Sequence, residues 1–236
     1  MARLPRLVIP EQPHFLTLNA IDRLAAFRDA DDYAAFLKWL GEAARQFKVA
    51  VHAYVLLPSQ VQILATPSDA TGLAKAMQWL GRYYVPYFNA KYQRAGTLWQ
   101  GRYRATLIEA EQYLLAASLY LETAAVRAGL TPAPAEYPWS SNQHHVGLRS
   151  DFLVTDHPLY WMLGNTPFDR EAAYKRLLEQ GLSSAQLKQL DLSAHRGWPL
   201  GSECFVRALA KKVPRPVSPG KRGRPKKPQS ASATSS

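Results

Sequence analysis

Two apolar, β-branched runs, Val49-Ala50-Val51-His52-Ala53-Tyr54-Val55-Leu56 and Val61-Gln62-Ile63-Leu64-Ala65, are separated only by Leu57-Pro58-Ser59-Gln60. A connection this short joins strands that run antiparallel, because a parallel crossover needs a dozen or more residues. The pair therefore predicts a hairpin and argues against a doubly wound parallel sheet. Around it, Pro13-His14-Phe15-Leu16-Thr17-Leu18 predicts a first strand. Tyr33, Phe36, Leu37, Leu40 and Ala44 recur at helical spacing through about Phe47, with Asp31-Asp32 as the expected cap. A second helix is predicted from near Gly72 to Tyr92 on the stripe Leu73, Met77, Leu80, Tyr84 and Phe88, with a kink or split at Pro86. The stretch Gly96 to Ile108 reads as a loop entering a strand, and a third helix runs from Glu109 to Arg127, stopped by Gly129. Strands interspersed with helices in this order predict an α+β architecture, an antiparallel sheet with packed helices.

Three regions follow: a main domain over 1–147, an accessory helical region over 148–212, and a tail over 213–236 built almost wholly of Pro, Ser, Gly, Lys, Arg and Ala. Such a tail cannot offset the entropy of ordering, so it is expected to be disordered when free. It also carries most of the charge. The chain's net charge is +11, and residues 211–236 hold eight Lys and Arg with no acid, which leaves +3 for everything before them. A concentrated cationic tail without an apolar face favours nucleic acid over a membrane as partner. No run approaches the roughly 18 to 20 apolar residues of a membrane span, and the N-terminus lacks the pattern of a signal peptide, so a cytoplasmic, nucleoid-associated protein is expected. The single cysteine, Cys204, excludes an internal disulfide and is expected to be a buried apolar thiol. His144-His145 and His157 are read as loop residues without a metal partner, and His14 and His52 as structural.

Within the main domain, His52-Ala53-Tyr54-Val55-Leu56-Leu57-Pro58, Leu98-Trp99-Gln100-Gly101-Arg102-Tyr103, Leu119-Tyr120, Val126-Arg127-Ala128-Gly129-Leu130 and Tyr137-Pro138-Trp139-Ser140-Ser141 occur in this order. In these stretches the chain resembles the REP-associated tyrosine transposases, of the insertion-sequence-200-like, single-tyrosine branch of the HUH endonucleases. The resemblance spans about residues 1–147 and, more faintly, Gly197-Trp198-Pro199-Leu200-Gly201-Ser202-Glu203. It implies a ferredoxin-like sheet that binds single-stranded or hairpin DNA. It also implies a tyrosine that attacks a phosphodiester to leave a 5′-phosphotyrosine, with Mg²⁺ or Mn²⁺ polarising the phosphate.

By that resemblance, Tyr120 occupies the nucleophile position, while Gln60, Gln62 and Ala124 occupy the three ligand positions. The family's two histidines stand at i and i+2 so that both point to one face of a strand, and its third ligand follows the tyrosine by one helical turn. Here all three positions are changed and the tyrosine alone remains. Glutamines offer only neutral carbonyl oxygens, and a tyrosine of ordinary pKa near 10 is a poor nucleophile without a metal. The expectation is a DNA-binding protein, monomer or homodimer, with nicking weak or lost and no cofactor. The alternatives are an active DNA transposase working through Tyr120 with oxygen-ligated metal, or an RNA-binding module.

Two stretches are candidates for the binding itself. Arg82, Tyr83, Tyr87, Lys91, Tyr92 and Arg94, with Trp99, Arg102, Tyr103 and Arg104, combine cations for phosphates with rings for unpaired bases. Arg102 and Arg104 are singled out, since alternate residues of a predicted strand share a face. Further on, Lys221-Arg222-Gly223-Arg224-Pro225-Lys226-Lys227-Pro228 resembles an AT-hook. Its Arg222-Gly223-Arg224-Pro225 core would lie extended in the narrow minor groove of A·T-rich DNA, with Lys226 and Lys227 on phosphates.

Overall fold

The computed structural model describes residues 6–218. Its sheet is made of β1 (His14–Asn19), β2 (Val49–Leu57), β3 (Gln60–Pro67) and β4 (Arg104–Leu107), in the spatial order β2-β3-β1-β4. Every neighbouring pair is antiparallel. Helix α1 (Ala30–Gln46) connects β1 to β2, and α2 (Gly72–Lys91) connects β3 to β4. The β-α-β-β-α-β order with this strand arrangement is the ferredoxin-like pattern. After β4 come α3 (Ala110–Glu122), α4 (Ala124–Arg127), α5 (Asn142–His145), α6 (Pro158–Trp161), α7 (Pro167–Gln180), α8 (Ser184–Arg196) and α9 (Glu203–Lys212). No helix among the described residues is long and apolar enough to cross a membrane.

The two faces of the sheet are covered by different helices. Leu16, Leu18, Tyr54, Leu56, Val61 and Ile63 pack with α1 and α2, whereas Phe15, Ala53, Val55 and Leu64 pack with α3 and α8. Alternation along each strand explains the division. In β2 it is reset at His52, where the register slips between Val51 and Ala53. Without that bulge, one half of β2 would present its side chains to the wrong layer. His52 is itself buried. Its Nδ1 donates to the Thr155 carbonyl at 2.7 Å, and its Nε2 accepts from the Thr66 hydroxyl at 2.8 Å. The structural role expected for His14 has the same form: this fully buried ring donates from Nδ1 to the Gln12 carbonyl and accepts the Ile9 N–H at Nε2.

Helix α1 is capped by Asp29, whose carboxylate accepts the Asp32 N–H at 3.1 Å, and not by Asp31-Asp32. Asp32 is instead buried in the first turn and receives Lys91 Nζ at 3.0 Å and the Tyr92 hydroxyl at 2.7 Å, which ties α1 to α2. Helix α2 runs through Pro86 without dividing. Pro86 is exposed, so solvent meets the carbonyl it leaves unpaired while the buried stripe of Leu80, Tyr84 and Phe88 holds the helix.

Beyond residue 148, α8 packs into the same core, while α7 and α9 join smaller clusters that include Leu119 of α3 and Leu107 of β4. Leu190 and Ala194 of α8 lie against the sheet face that holds Phe15. The Thr106 hydroxyl of β4 donates to the Ser193 carbonyl at 2.7 Å. The end of α3 is fixed by Glu122, a fully buried carboxylate that accepts from Ser141 Oγ at 2.5 Å, Asn142 Nδ2 at 3.0 Å and the Tyr174 hydroxyl at 2.9 Å. His145 Nδ1 lies 2.6 Å from the same carboxylate. Burial alone would raise Glu122, but His145 and these donors hold it below the usual carboxylate range.

Several expectations are corrected here. His144 and His145 sit in α5 and have partners, Asp156 at 3.2 Å and Glu122 respectively. Cys204 is exposed, because α9 turns Phe205 and Leu209 rather than Cys204 inward. The tail does not begin at 213: Val217 is buried with Leu7, Leu107 and Leu209. The AT-hook-like residues Arg222, Gly223, Arg224, Pro225, Lys226 and Lys227 lie outside the described residues.

Candidate nucleic-acid interface

Residues opposite one another in the register share a face, so the pairing Thr17↔Gln62, Asn19↔Gln60 and Thr17↔Arg104 gathers five polar side chains on one side of the sheet. This is the side covered by α3 and α8, since Phe15 and Leu64 occupy the next positions along it. Gln60, Gln62 and Arg104 are thus brought onto the same face as Tyr120 and Ala124, both of α3 and its continuation α4.

The two glutamines do not stand as separate ligands. Gln62 Nε2 donates to Gln60 Oε1 at 2.8 Å, and Gln60 Nε2 donates to Asn19 Oδ1 at 2.8 Å, so three amides form one directional ladder. Gln62 is 4% exposed, and at the inner end of the ladder its Oε1 is buried without a hydrogen-bond partner, as is Thr17 Oγ1. At its outer end the ladder opens onto a cleft of about 410 Å³ lined by Asn19, Arg23, Ser59, Gln60, Gln100 and Arg104, among others. Arg23, which lines it, and the preceding Asp22 both adopt left-handed backbone, with φ of 55° and 49°. Two consecutive non-glycine residues in that region cost free energy and mark a shaped turn.

This donor set does not fit a divalent metal. Ala124 offers no ligand atom, and Gln60 Oε1 already accepts a hydrogen bond from Gln62. What remains are amide oxygens, with neither the imidazoles of the family's site nor a carboxylate among them. Among the described residues no group of three His, Cys, Asp or Glu side chains is disposed around a common point.

Tyr120 is 6% exposed. Its ring meets Phe15 edge-on at 6.0 Å, the Arg127 guanidinium lies 4.1 Å from its centroid, and its hydroxyl donates to Asp191 Oδ1 of α8 at 3.3 Å. Burial pushes the hydroxyl above its ordinary value and the Asp191 carboxylate adds to the shift, while the Arg127 cation opposes it. The phenolate needed for nucleophilic attack is disfavoured in this setting.

The other predicted binding residues lie elsewhere. Arg82 is exposed on α2, on the opposite side of the sheet. Tyr87, Lys91 and Tyr92 are engaged with Asp29 and Asp32. Trp99 and Tyr103 are core residues. Arg102 does not share a strand face with Arg104, because β4 begins only at Arg104; Gly101, at φ 72°, bends the chain just before it. Asn19, Arg23, Gln100, Asp191 and Arg127 were not singled out from sequence. Gln100 and Arg127 stood within stretches that carry the resemblance, without a role of their own, and Asn19 directly follows the predicted strand Pro13–Leu18. Asp191 is 71 positions from Tyr120 and carried no signal.

No family model matches the sequence, and no curated protein matches it. A solved REP-associated tyrosine transposase bound to a REP hairpin superposes with a TM-score of 0.51 at 19% identity, over 66% of this chain and 95% of that one. A candidate transposase of Deinococcus radiodurans R1 aligns over 49% of this chain and 93% of its own, at 18% identity and a TM-score of 0.33. A bacterial tRNA(His) guanylyltransferase-like protein in complex with GTP aligns over 54% and 72%, at 14% identity and a TM-score of 0.35. Overlaps as partial as the last two bear no argument. The first establishes the architecture: this chain has the fold of a REP-associated tyrosine transposase.

Proposed function

We propose that this chain is a transposase-family DNA-binding protein that recognises single-stranded or hairpin DNA, with strand cleavage weak or lost. The observation that carries the reading is the amide ladder. Where the family's metal would be held, Gln62, Gln60 and Asn19 bond to one another, and Gln60 and Asn19 line a cleft that also contains Arg23 and Arg104. Amides offer donor and acceptor together, which suits nucleobase edges, and arginines suit phosphates. The solved relative in fold is bound to a REP hairpin, which supports DNA as the partner. The burial of Tyr120 beneath α8 supports loss of nicking independently of the ligand changes. The AT-hook-like segment adds A·T-rich minor-groove binding to this reading, from its sequence alone.

A second reading, an active nuclease with a 5′-phosphotyrosine on Tyr120, is favoured by the retention of that tyrosine on the same sheet face as the glutamines. Incubating the protein with a labelled hairpin bearing a single-stranded flank, with Mg²⁺ or Mn²⁺, separates the two. The expected result is a bound complex and no covalent adduct on a denaturing gel. An adduct that disappears in Tyr120→Phe overturns the proposal in favour of the second reading, and a clear preference for the matched RNA hairpin overturns DNA as the partner.

A further inference from the structure

On the opposite side of the sheet from the ladder, an open groove of about 490 Å³ runs between the C-terminal half of α1 and the segment around Phe152. Leu37 and Leu153 contribute to its apolar floor, and Lys38, Arg45 and Lys48 are its charged residues; no carboxylate lines it. None of these three cations is hydrogen-bonded or ion-paired through its side chain. Glu42, one helical turn from Lys38 and from Arg45, does not line the groove and forms no ion pair with either. Phe152 stands beside the cations with 99% of its surface exposed, more than any other large apolar residue of the described chain.

A phenylalanine held fully in water gains nothing from the fold, and three unpaired cations around it repel one another. Both costs are relieved by one kind of ligand: a polyanion that carries flat apolar faces. We infer that this groove is a second nucleic-acid contact, one that takes an unpaired DNA segment, with a base stacked on Phe152 and phosphates on Lys38, Arg45 and Lys48. The inference rests on the DNA-binding reading above. Lys38 and Arg45 are two helical turns apart, about 10 Å along the axis, which matches about three nucleotides at the 3.4 Å per-strand rise of stacked DNA. The groove and the ladder cleft lie on different sides of the sheet, so a strand flanking the bound hairpin would have to wrap around the edge of the molecule at β2 to reach it.

The test measures binding of full-length protein to a fluorescent oligothymidylate of about twenty nucleotides by anisotropy, across a series of salt concentrations. The variants are Lys38→Ala/Arg45→Ala/Lys48→Ala and Phe152→Ala, with Arg104→Ala for the other cleft. All four substituted groove residues are exposed, and equal melting curves verify that the fold is kept. The triple variant is expected to lose about tenfold or more in affinity and to lower the salt slope by about 2, three phosphate contacts at roughly 0.7 each. Phe152→Ala is expected to cost about fivefold or more with no change in slope, the signature of a lost stack rather than a lost charge.

Wild-type affinity and slope in both groove variants, with Arg104→Ala impaired, would overturn the groove and leave the DNA reading standing. No binding of any DNA by the wild type would overturn both. A matched RNA bound at least tenfold more tightly than DNA, or a Glu- and Leu-rich peptide that binds the wild type and not the triple variant while DNA is indifferent to the change, would also overturn the proposal.

Discussion

His14 and His52 are buried, neutral and tied to carbonyls, and burial depresses each to about 4. Their ordinary value is 6.5, so as pH falls through 6.5 the unfolded chain takes up protons that the folded chain refuses until about 4. The stability they confer at neutral pH is therefore lost between those values, on the order of 3 kcal/mol for each ring. His144 works in the opposite direction, since the Asp156 hydrogen bond raises it, but one partly exposed pair offsets only a fraction of this. Urea midpoints are expected to drop steeply from about pH 7 to about pH 4.5, and the drop should shrink in His52→Gln. A flat profile across that window would contradict the buried neutral assignment. At this scale the sequence was readable where the neighbours in question were local. The i, i+2 spacing of Gln60 and Gln62 put them on one face, as their shared register opposite Asn19 and Thr17 bears out. What it could not show was that the pair would bond to each other and to Asn19, since that depends on rotamers and on the strand alongside.

Helix α8 is the element that most changes the reading of the site. Its Leu190 is fully buried against the sheet, its Ser193 carbonyl takes the Thr106 hydroxyl, and its Asp191 receives Tyr120. Leu190→Ala is expected to cost about 2–5 kcal/mol through the cavity it leaves, measured by chemical denaturation. Tyr120→Phe should cost no more than about 0.5–1.5 kcal/mol, because it removes one long hydrogen bond and keeps the ring. A loss below about 1 kcal/mol for Leu190→Ala would mean that α8 is not part of the cooperative core. The strands and first two helices were legible because each carries its own periodicity, and the third was legible except for its break at Thr123 into α3 and α4. The placement of α8 was not, because a short amphipathic helix states only that it has an apolar side and not which surface covers it. The same limit applies to Arg102: residue alternation predicts a shared face only if the strand has already started, and Gly101 delays it.

Across the whole molecule, charge is distributed unevenly. Five of the chain's 29 Lys and Arg, namely Lys221, Arg222, Arg224, Lys226 and Lys227, lie beyond residue 218. Truncation is best placed after Ser218, because Val217 is part of the packed structure. Removing residues 219–236 is expected to reduce the salt slope of duplex binding by up to about 4 to 5, roughly 0.9 for each of five phosphate contacts, and to abolish any preference for A·T-rich duplex. Hairpin binding by residues 1–218 should persist at low salt. Unchanged duplex binding after truncation would remove the hook from the account. The basic character of the tail was plain in the sequence, since it is compositional. The split of the basic residues in the folded part between two sides of one sheet was not, since it depends on which helix covers which face.

The ladder from Gln62 through Gln60 to Asn19 also has a direction. As it stands, every amide donates outward, so an acceptor is stranded at the buried end and Asn19 has amide hydrogens to offer at the cleft. Rotating all three amides by half a turn satisfies the same two internal bonds in the opposite sense and leaves a carbonyl facing outward instead. No single member can turn alone without breaking a bond to its neighbour. The cleft is thus a coupled relay with two polarities: a ligand atom that accepts would select one and a ligand atom that donates the other, and the choice made at Asn19 would be felt at Gln62, within the sheet.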